Sequence, residues 1–302
     1  MEVSNADRIV FPQNGITKGD VVGYYERVAE RMLPHLAGRP LTLERYPKGI
    51  DAKGFMQKNA PAHFPESIHR VTIPARHGTT TYPVVDHAEH IPYLANQGTI
   101  TFHVWTSRVP NLEHPDRIIF DLDPPEDEPD AARRAAESVR LLLDEVGLPS
   151  VPMATGSKGF HVVAPILPLI PGERIAAVSN GAALWLATKE PNALTLQFRK
   201  ENRRGRVFVD WLRNRPGQTG VAAWSLRPKD GAPVAMPITW DELATTSPDA
   251  FALETVSDRL VTTDPLLELA GRPTDPTAPV EMLEAMLAAN GIEPEPFDRF
   301  RS

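Results

Sequence analysis

The chain has 302 residues, 41% of them hydrophobic, with a formal net charge of −7 and no cysteine. That apolar content supports one large packed domain or two small ones, and the missing cysteines exclude disulfides, thiolate zinc sites and cysteine nucleophiles. No stretch approaches the roughly 20 apolar residues of a membrane span and residues 1–5 do not form a basic-then-apolar leader, so a cytoplasmic protein that does not enter a membrane is expected.

Thr17 is placed to cap a helix over residues 18 to about 36, with Val21, Val22, Tyr25, Val28, Ala29 and Met32 near helical spacing. Residues 40–46 predict a strand and 49–54 a turn, followed by Phe55 and Met56. Segments 71–74 and 80–85 predict a hairpin around His77-Gly78. Residues 91–96 predict a short helix or turn, and 99–105 a strand that carries His103.

The segment Ile118-Ile119-Phe120-Asp121-Leu122-Asp123-Pro124 is a β-forming apolar run that ends in two aspartates one residue apart. Side chains alternate along a strand, so Asp121 and Asp123 point the same way while Phe120 and Leu122 face a core. Adjacent carboxylates repel, and a divalent cation with oxygen ligands relieves that cost. The plain alternative is a strand end with two solvated aspartates.

An amphipathic helix is predicted over 131–146, stopped by Gly147, then strands over 150–154 and 160–166. Between those strands lies Thr155-Gly156-Ser157-Lys158-Gly159-Phe160-His161. Its glycines allow tight turning and close approach. Exposed N–H groups, the Ser157 hydroxyl and the Lys158 ammonium suit phosphate oxygens, though this is not a Walker loop. A simple hairpin with a surface lysine is the alternative. Residues 172–190 predict a helix opened by Pro171. Strand, helix and strand around 118–166 make a βαβ-like unit.

A second apolar strand, residues 207–211, is interrupted by Asp210. Asp210 completes a three-carboxylate cluster if this strand neighbours the first, a set able to hold two metals for phosphoryl or nucleotidyl transfer. Alternatively it pairs with Arg213. Nine basic residues fall within 199–229, including Arg203, Arg213 and Arg227, against Glu201 and Asp210 alone. Residues 241–302 instead hold 13 acidic and four basic side chains, so the rest of this acidic chain is about neutral. A basic belt around an aspartate fits a polyphosphate and a metal; a solvated basic face is the alternative. Short helices are predicted from 239 to 243, 253 to 260 and 280 to 289.

F-D-L-D-P at 120–124, G-S-K-G-F-H at 156–161, F-V-D-W at 208–211 and S-L-R at 225–227 resemble the polymerase domain of bacterial ligase D. So do N-A-D-R at 5–8, T-K-x-D-x-x-x-Y-Y at 17–25 and F-H-V-W at 102–105. Stand-alone Prim-Pol proteins of the archaeo-eukaryotic primase superfamily are also similar. The resemblance runs from about residue 4 to about 260. It implies an α+β fold of mixed sheets with flanking helices and an RRM-like primase-polymerase core. Residues 1–260 would form one compact unit, and 261–302 an acidic, proline-containing helical tail. Lys229-Asp230-Gly231 lacks the spacer of a ligase K-x-D-G motif, so no ligase is expected within the chain.

The function implied is a template-directed polymerase that fills short gaps or break ends in the nucleoid and favours ribonucleotides. It would use two Mn²⁺ or Mg²⁺ ions on Asp121, Asp123 and Asp210. Ser157, Lys158, Gly159 and His161 match the triphosphate loop, Arg227 a further phosphate contact, and His103 an active-site histidine near the incoming ribose. Arg203 and Arg213 would support the nucleotide or the metals. Asn5, Arg8 and Lys18 match a pocket for the downstream 5′-phosphate, where the helix start also offers N–H groups; a helix cap with exposed bases is the alternative. Phe55 and Met56 stand where many relatives have two phenylalanines that wedge against the template. Met stacks less well on a base. Expected partners are gapped or broken DNA, NTP or dNTP, a separate DNA ligase and end-binding proteins. A nucleic-acid-binding module and a metal-dependent nuclease are the competing readings.

Overall fold

The computed structural model describes residues 2–75, 78–126 and 128–293. His77 in the expected hairpin turn, and the end of the expected tail, lie outside the described residues. The chain divides into two compact units: residues 1–110, 219–236 and 249–263 form one, and residues 111–218, 237–248 and 264–302 the other.

In the first unit, Thr17 starts helix Lys18–Leu36 through a capping box: its hydroxyl accepts from the Asp20 N–H, and Asp20 accepts from the Thr17 N–H. The predicted apolar positions form its buried face, joined by Tyr24. Among the described residues, an antiparallel sheet runs in the order Thr219–Val221, Thr99–Trp105, Leu41–Arg45, Phe55–Gln57. The first and last of these strands are short and carry no alternating pattern, which hid them from sequence periodicity. Strands His69–Ala75 and Gly78–Val84 make the separate hairpin.

The second unit is built on a sheet ordered Leu194–Thr195, Val207–Asp210, Arg117–Asp123, Phe160–Pro165, Val151–Ala154, with Met236–Pro237 at the far edge. The βαβ-like reading takes a specific form. Strand Phe160–Pro165 lies antiparallel between Arg117–Asp123 and Val151–Ala154, so the two strands joined by helix Pro129–Glu145 are split by a third. That helix buries Ala132, Ala135, Ala136, Val139 and Leu143 and packs on the sheet. Phe120 and Leu122 are buried, as the alternation predicts.

Two differences from the sequence expectations have clear causes. Residues 253–260 are not an α-helix: the Val234 N–H bonds to the Phe251 carbonyl (2.8 Å) and the Leu253 N–H to the Ala232 carbonyl (3.1 Å), which holds this stretch extended before a 3-10 turn over Val256–Val261. The segment after residue 263, expected as a helical tail beyond the compact unit, packs within the second unit. Asp264 caps helix Pro265–Ala270, whose Leu266 is buried against Ile119, Val151 and Val163. Helix Thr277–Ala289 follows, and its Glu284 accepts two hydrogen bonds from Arg174 (2.8 and 2.7 Å).

Where strand Val207–Asp210 ends, its pairing with Arg117–Asp123 is continued by a side chain. The buried Asn214 carboxamide accepts from the Ile119 N–H (2.7 Å) and donates to the Ile119 carbonyl (2.7 Å) and the Trp211 carbonyl (3.0 Å). Asn214→Ala is expected to leave two buried strand groups unpaired and to lower unfolding free energy by about 3 kcal/mol, measurable by urea titration. A loss within experimental error would mean that water satisfies both groups.

Candidate active site

The sheet register of the second unit sets Asp210 opposite Asp121, and Asp121 opposite His161. Three titratable side chains thus lie in one row across adjacent strands, with Asp123 two residues along. Asp210 and Asp121 are almost fully buried and Asp123 is partly exposed. Arg213, in the 3-10 turn Leu212–Asn214, reaches across this row. Its guanidinium stands 3.0 Å from Asp121 and 3.2 Å from Asp210. Asp210 also accepts from the Leu212 N–H (2.8 Å). His161 Nε2 is 3.4 Å from Asp121, and its buried Nδ1 has no hydrogen-bond partner. Arg203 stands 3.7 Å from Asp123.

These neighbours divide the carboxylates electrostatically. Burial pushes Asp121 up, but the charge and hydrogen bond of His161, then Arg213, override it and hold Asp121 well below the usual carboxylate range. Asp123 is raised, first by burial and then by the Asp121 charge. Asp210 is raised by burial, with Arg213 countering and Asp121 adding repulsion. The site therefore carries more negative charge than its arginines neutralise. An all-carboxylate donor set suits hard divalent cations. Among the described residues no three such side chains form a ready cage; the Arg213 guanidinium stands between Asp121 and Asp210. The pairing of Asp210 with Arg213 and the three-aspartate cluster are both present.

Loop 155–159 joins the hairpin beside this row. Gly156 is left-handed (φ 64°). A Cβ on Gly159 would fall 1.8 Å from the Leu122 carbonyl oxygen, so only glycine lets the loop pass the aspartate strand. Lys158 is exposed and donates to Glu126 (2.7 Å); Ser157 is half-buried. Beside Asp123 is a cavity of about 440 Å³ lined by Lys158, Lys200, Arg203, Arg206 and Glu126. Four cations face it against the carboxylates of Asp123, Glu126 and Glu201, a small positive excess that favours an anionic occupant.

The remaining predicted residues lie in the first unit. Register places Met56 opposite Glu44, and His103 opposite Thr42, on one sheet face. Phe55 faces the other way under the Arg45 guanidinium, 5.5 Å from its ring centre. Both Phe55 and Met56 are about half exposed. Glu44 is the residue that sequence reasoning missed. It lies 3.4 Å from His103 Nε2 and accepts from the Tyr46 hydroxyl (2.9 Å). Burial raises Glu44, but His103, Tyr46 and Arg227 outweigh it and hold the carboxyl below its ordinary value, while burial and then Glu44 push Tyr46 up to about 12. Glu44 thus joins His103 to Tyr46. The signal available was only Glu44-x-Tyr46 alternation on one strand face.

Lys18 and Arg8 share a cleft of about 50 Å³ lined also by Tyr46, Pro47 and Asn96. Lys18 is 7% exposed, and its ammonium donates to the Ser4 carbonyl (2.7 Å) and hydroxyl (2.8 Å). Burial, then the Arg8 charge, lowers its pKa, so the two cations do converge. Asn5 turns the chain in the left-handed region (φ 52°) and its carbonyl accepts from the Arg8 N–H. The expected N–H groups at the helix start are already taken: Lys18 donates to Arg8 O (2.7 Å), Gly19 to Ala6 O (2.8 Å) and Asp20 to Thr17. Any anion there meets side chains, not the helix terminus.

The LigD primase-polymerase domain model matches residues 17–266. The chain is 34% identical over 283 residues to the multifunctional non-homologous end joining protein LigD of Mycolicibacterium smegmatis, covering 93% of this chain and 37% of that protein. It is 36% identical over 275 residues to the LigD of Mycobacterium tuberculosis strain H37Rv, covering 88% and 36%. The solved polymerase domain from Mycobacterium tuberculosis ligase D in complex with DNA superposes with a TM-score of 0.83 at 35% identity, covering 90% of this chain and 99% of that one. The chain thus spans little more than a third of these curated relatives and nearly all of the solved polymerase domain. Among the described residues no helix is long and apolar enough to cross a membrane.

The raised Asp123 fixes the sign of one pH effect. The folded state binds its proton more tightly than the unfolded chain, so stability falls as pH rises from about 3.9, the unfolded value, through the raised folded value. In chelator, Asp123→Asn should therefore melt above wild type at neutral pH, and the gap should close near pH 4. The side chain is 45% exposed, so screening keeps the gain under about 1 kcal/mol. A variant that melts below wild type at pH 7 would show that the Arg203 contact outweighs the repulsion.

Proposed function

The chain belongs to the LigD primase-polymerase family, and from that premise we propose that it is a template-directed nucleotidyltransferase that fills short gaps and break ends in end joining, preferring ribonucleotides. The observation that carries this reading is the meeting of Asp121, Asp123 and Asp210 on adjacent strands, beside a cation-lined cavity. The three aspartates would hold two divalent ions, with Mn²⁺ favoured over Mg²⁺. Bound there, such ions lower the pKa of a primer 3′-hydroxyl and carry the charge of the triphosphate and departing pyrophosphate.

The chain's own groups supply the rest. Arg213, which stands between Asp121 and Asp210, would offset triphosphate charge beside them. His161 keeps the Asp121 carboxylate oriented through Nε2. Gly159 brings the loop against the aspartate strand, so Ser157 and Lys158 reach the β- and γ-phosphates once Glu126 yields Lys158. Arg203 supports Asp123. In the first unit, His103 meets the ribose, Arg227 a phosphate oxygen, and Phe55 with Met56 the template. Asn5, Arg8 and Lys18 receive the downstream 5′-phosphate. Gapped or broken DNA and nucleotides are the substrates, within the nucleoid, and a separate ligase with end-binding proteins would complete the repair.

Primer extension on gapped DNA with rNTPs and Mn²⁺ tests the core of this. Asp121→Ala, Asp123→Ala and Asp210→Ala should each reduce nucleotide addition by at least about a thousandfold, several kcal/mol of lost charge stabilisation, with the fold kept. Near-normal extension by any one of them sinks the assignment; degradation of the primer by wild type would instead make the protein a nuclease.

The 5′-phosphate carries roughly −1.5 to −2 charge at pH 7. Wild type should bind a gapped duplex bearing it more tightly than one with a 5′-hydroxyl, and Lys18→Ala should erase that preference while extension on an open primer-template persists. The advantage should shrink with salt. Because Thr17 and Asp20 supply the cap, Lys18→Ala should leave helix stability largely intact; a preference that survives in the variant places the pocket elsewhere.

A further inference from the structure

We propose that Phe198 is a stacking platform for a base of single-stranded nucleic acid, a deepening of the polymerase reading on which it rests. Phe198 is 70% exposed, a large cost for a phenylalanine with no ligand to cover it. It is not a loosely placed side chain. The Arg203 guanidinium donates to the carbonyls of Gln197 and Phe198 (3.1 Å each) and lies 4.4 Å from the centre of the Phe208 ring. Phe198 meets that same ring edge-on, with centroids 6.2 Å apart at 88°. An edge contact anchors the ring and leaves most of it uncovered.

The surroundings specify the occupant. Arg199, Lys200 and Arg204, in the residues that follow Phe198, are exposed, and Arg203 and Arg206 are partly buried. Only Glu201 opposes these five cations between residues 199 and 206. An exposed aromatic ring on a cationic segment matches the arrangement by which bases stack while phosphates are neutralised, tolerant of sequence because every base has a π-face. A protein partner would need apolar neighbours beside Phe198, and none of residues 197–206 apart from Phe198 itself offers an exposed apolar side chain. Arg203 also reaches Asp123 (3.7 Å), and Lys200, Arg203 and Arg206 line the cavity beside that aspartate. A strand stacked on Phe198 is therefore held next to the proposed reaction centre, where an overhang or an unpaired template base would lie.

Fluorescence anisotropy of a short labelled oligothymidylate, with a blunt duplex as comparison, tests the platform. Phe198→Ala should weaken oligothymidylate binding about tenfold, from the 1–3 kcal/mol typical of one stacked base, and leave the blunt duplex unchanged. Phe198→Trp should restore binding. Phe198→Leu retains apolar contact with Phe208 and should melt like wild type, yet bind the oligothymidylate as weakly as the alanine variant. Unchanged oligothymidylate binding by the alanine and leucine variants overturns the platform and assigns the ring to another partner. Equal weakening for the blunt duplex, or no rescue by tryptophan, overturns stacking as its mechanism. If wild type binds neither probe, the polymerase reading itself fails; if wild type binds and only the variants fail to differ, that reading stands and the platform does not.

Discussion

The contact of Arg213 with Asp121 and Asp210 is the constraint around which the second unit is arranged. Three carboxylates at the ends of adjacent strands repel one another, and burial in a sheet core magnifies the cost. A guanidinium placed between two of them offsets most of it. Its position follows from the backbone: Asn214 plugs into the Ile119 backbone, which fixes the Leu212–Asn214 turn and points its middle residue at the row of acids. His161 stands across the sheet from Asp121, on one side of the row only. One aspartate is thereby kept firmly ionised while Asp123 and Asp210 stay poised. The fixed positive charge lets the sheet fold with its acids together, while the three carboxylates still outnumber the two arginines beside them.

The same logic explains how a chain of net charge −7 can serve a polyanion. Charge is partitioned locally. The loop through Lys158 and the segment 199–206 line a cavity with cations, and the surplus acid resides after residue 240, where Glu284 is spent on Arg174. Screening limits the reach of each patch to about 8–10 Å at ordinary salt, so the local field around Asp123, not the total, governs what binds. Glu126 occupies Lys158 in the described structure; as an exposed pair it is a weak contact that phosphate oxygens can replace.

In the first unit, the candidate residues are organised by register. Strand pairing places Met56 beside Glu44 and sets His103 on the same face. The Glu44 carboxylate lies 3.4 Å from His103 Nε2 through one oxygen and accepts from the Tyr46 hydroxyl through the other. At the far end of Glu44's strand the chain turns toward Pro47, whose carbonyl accepts from Arg8, and this draws Arg8 to the cleft with Lys18.

The sequence by itself determined which acidic residues of the second unit share a strand face. Alternation within Ile118–Asp123 dictates that Asp121 and Asp123 share a face, because strand geometry is local. The glycines around Ser157-Lys158 announce a tight loop, because left-handed backbone and close approach are visible in residue type. The helix after Thr17 was equally legible from its cap and its period. What only tertiary structure decided is what depends on pairing distant segments. The insertion of strand Phe160–Pro165 between its neighbours, the docking of Leu266 against Ile119, and the extended stretch at 251–253 are settled by backbone partners far away in the chain. So are the Glu44–His103 contact, between residues 59 apart, and the capture of the helix-start N–H groups by residues 6 and 8. A periodic pattern records which face of an element is apolar; it carries no information on which other element covers that face, and that choice placed Arg213 among the aspartates.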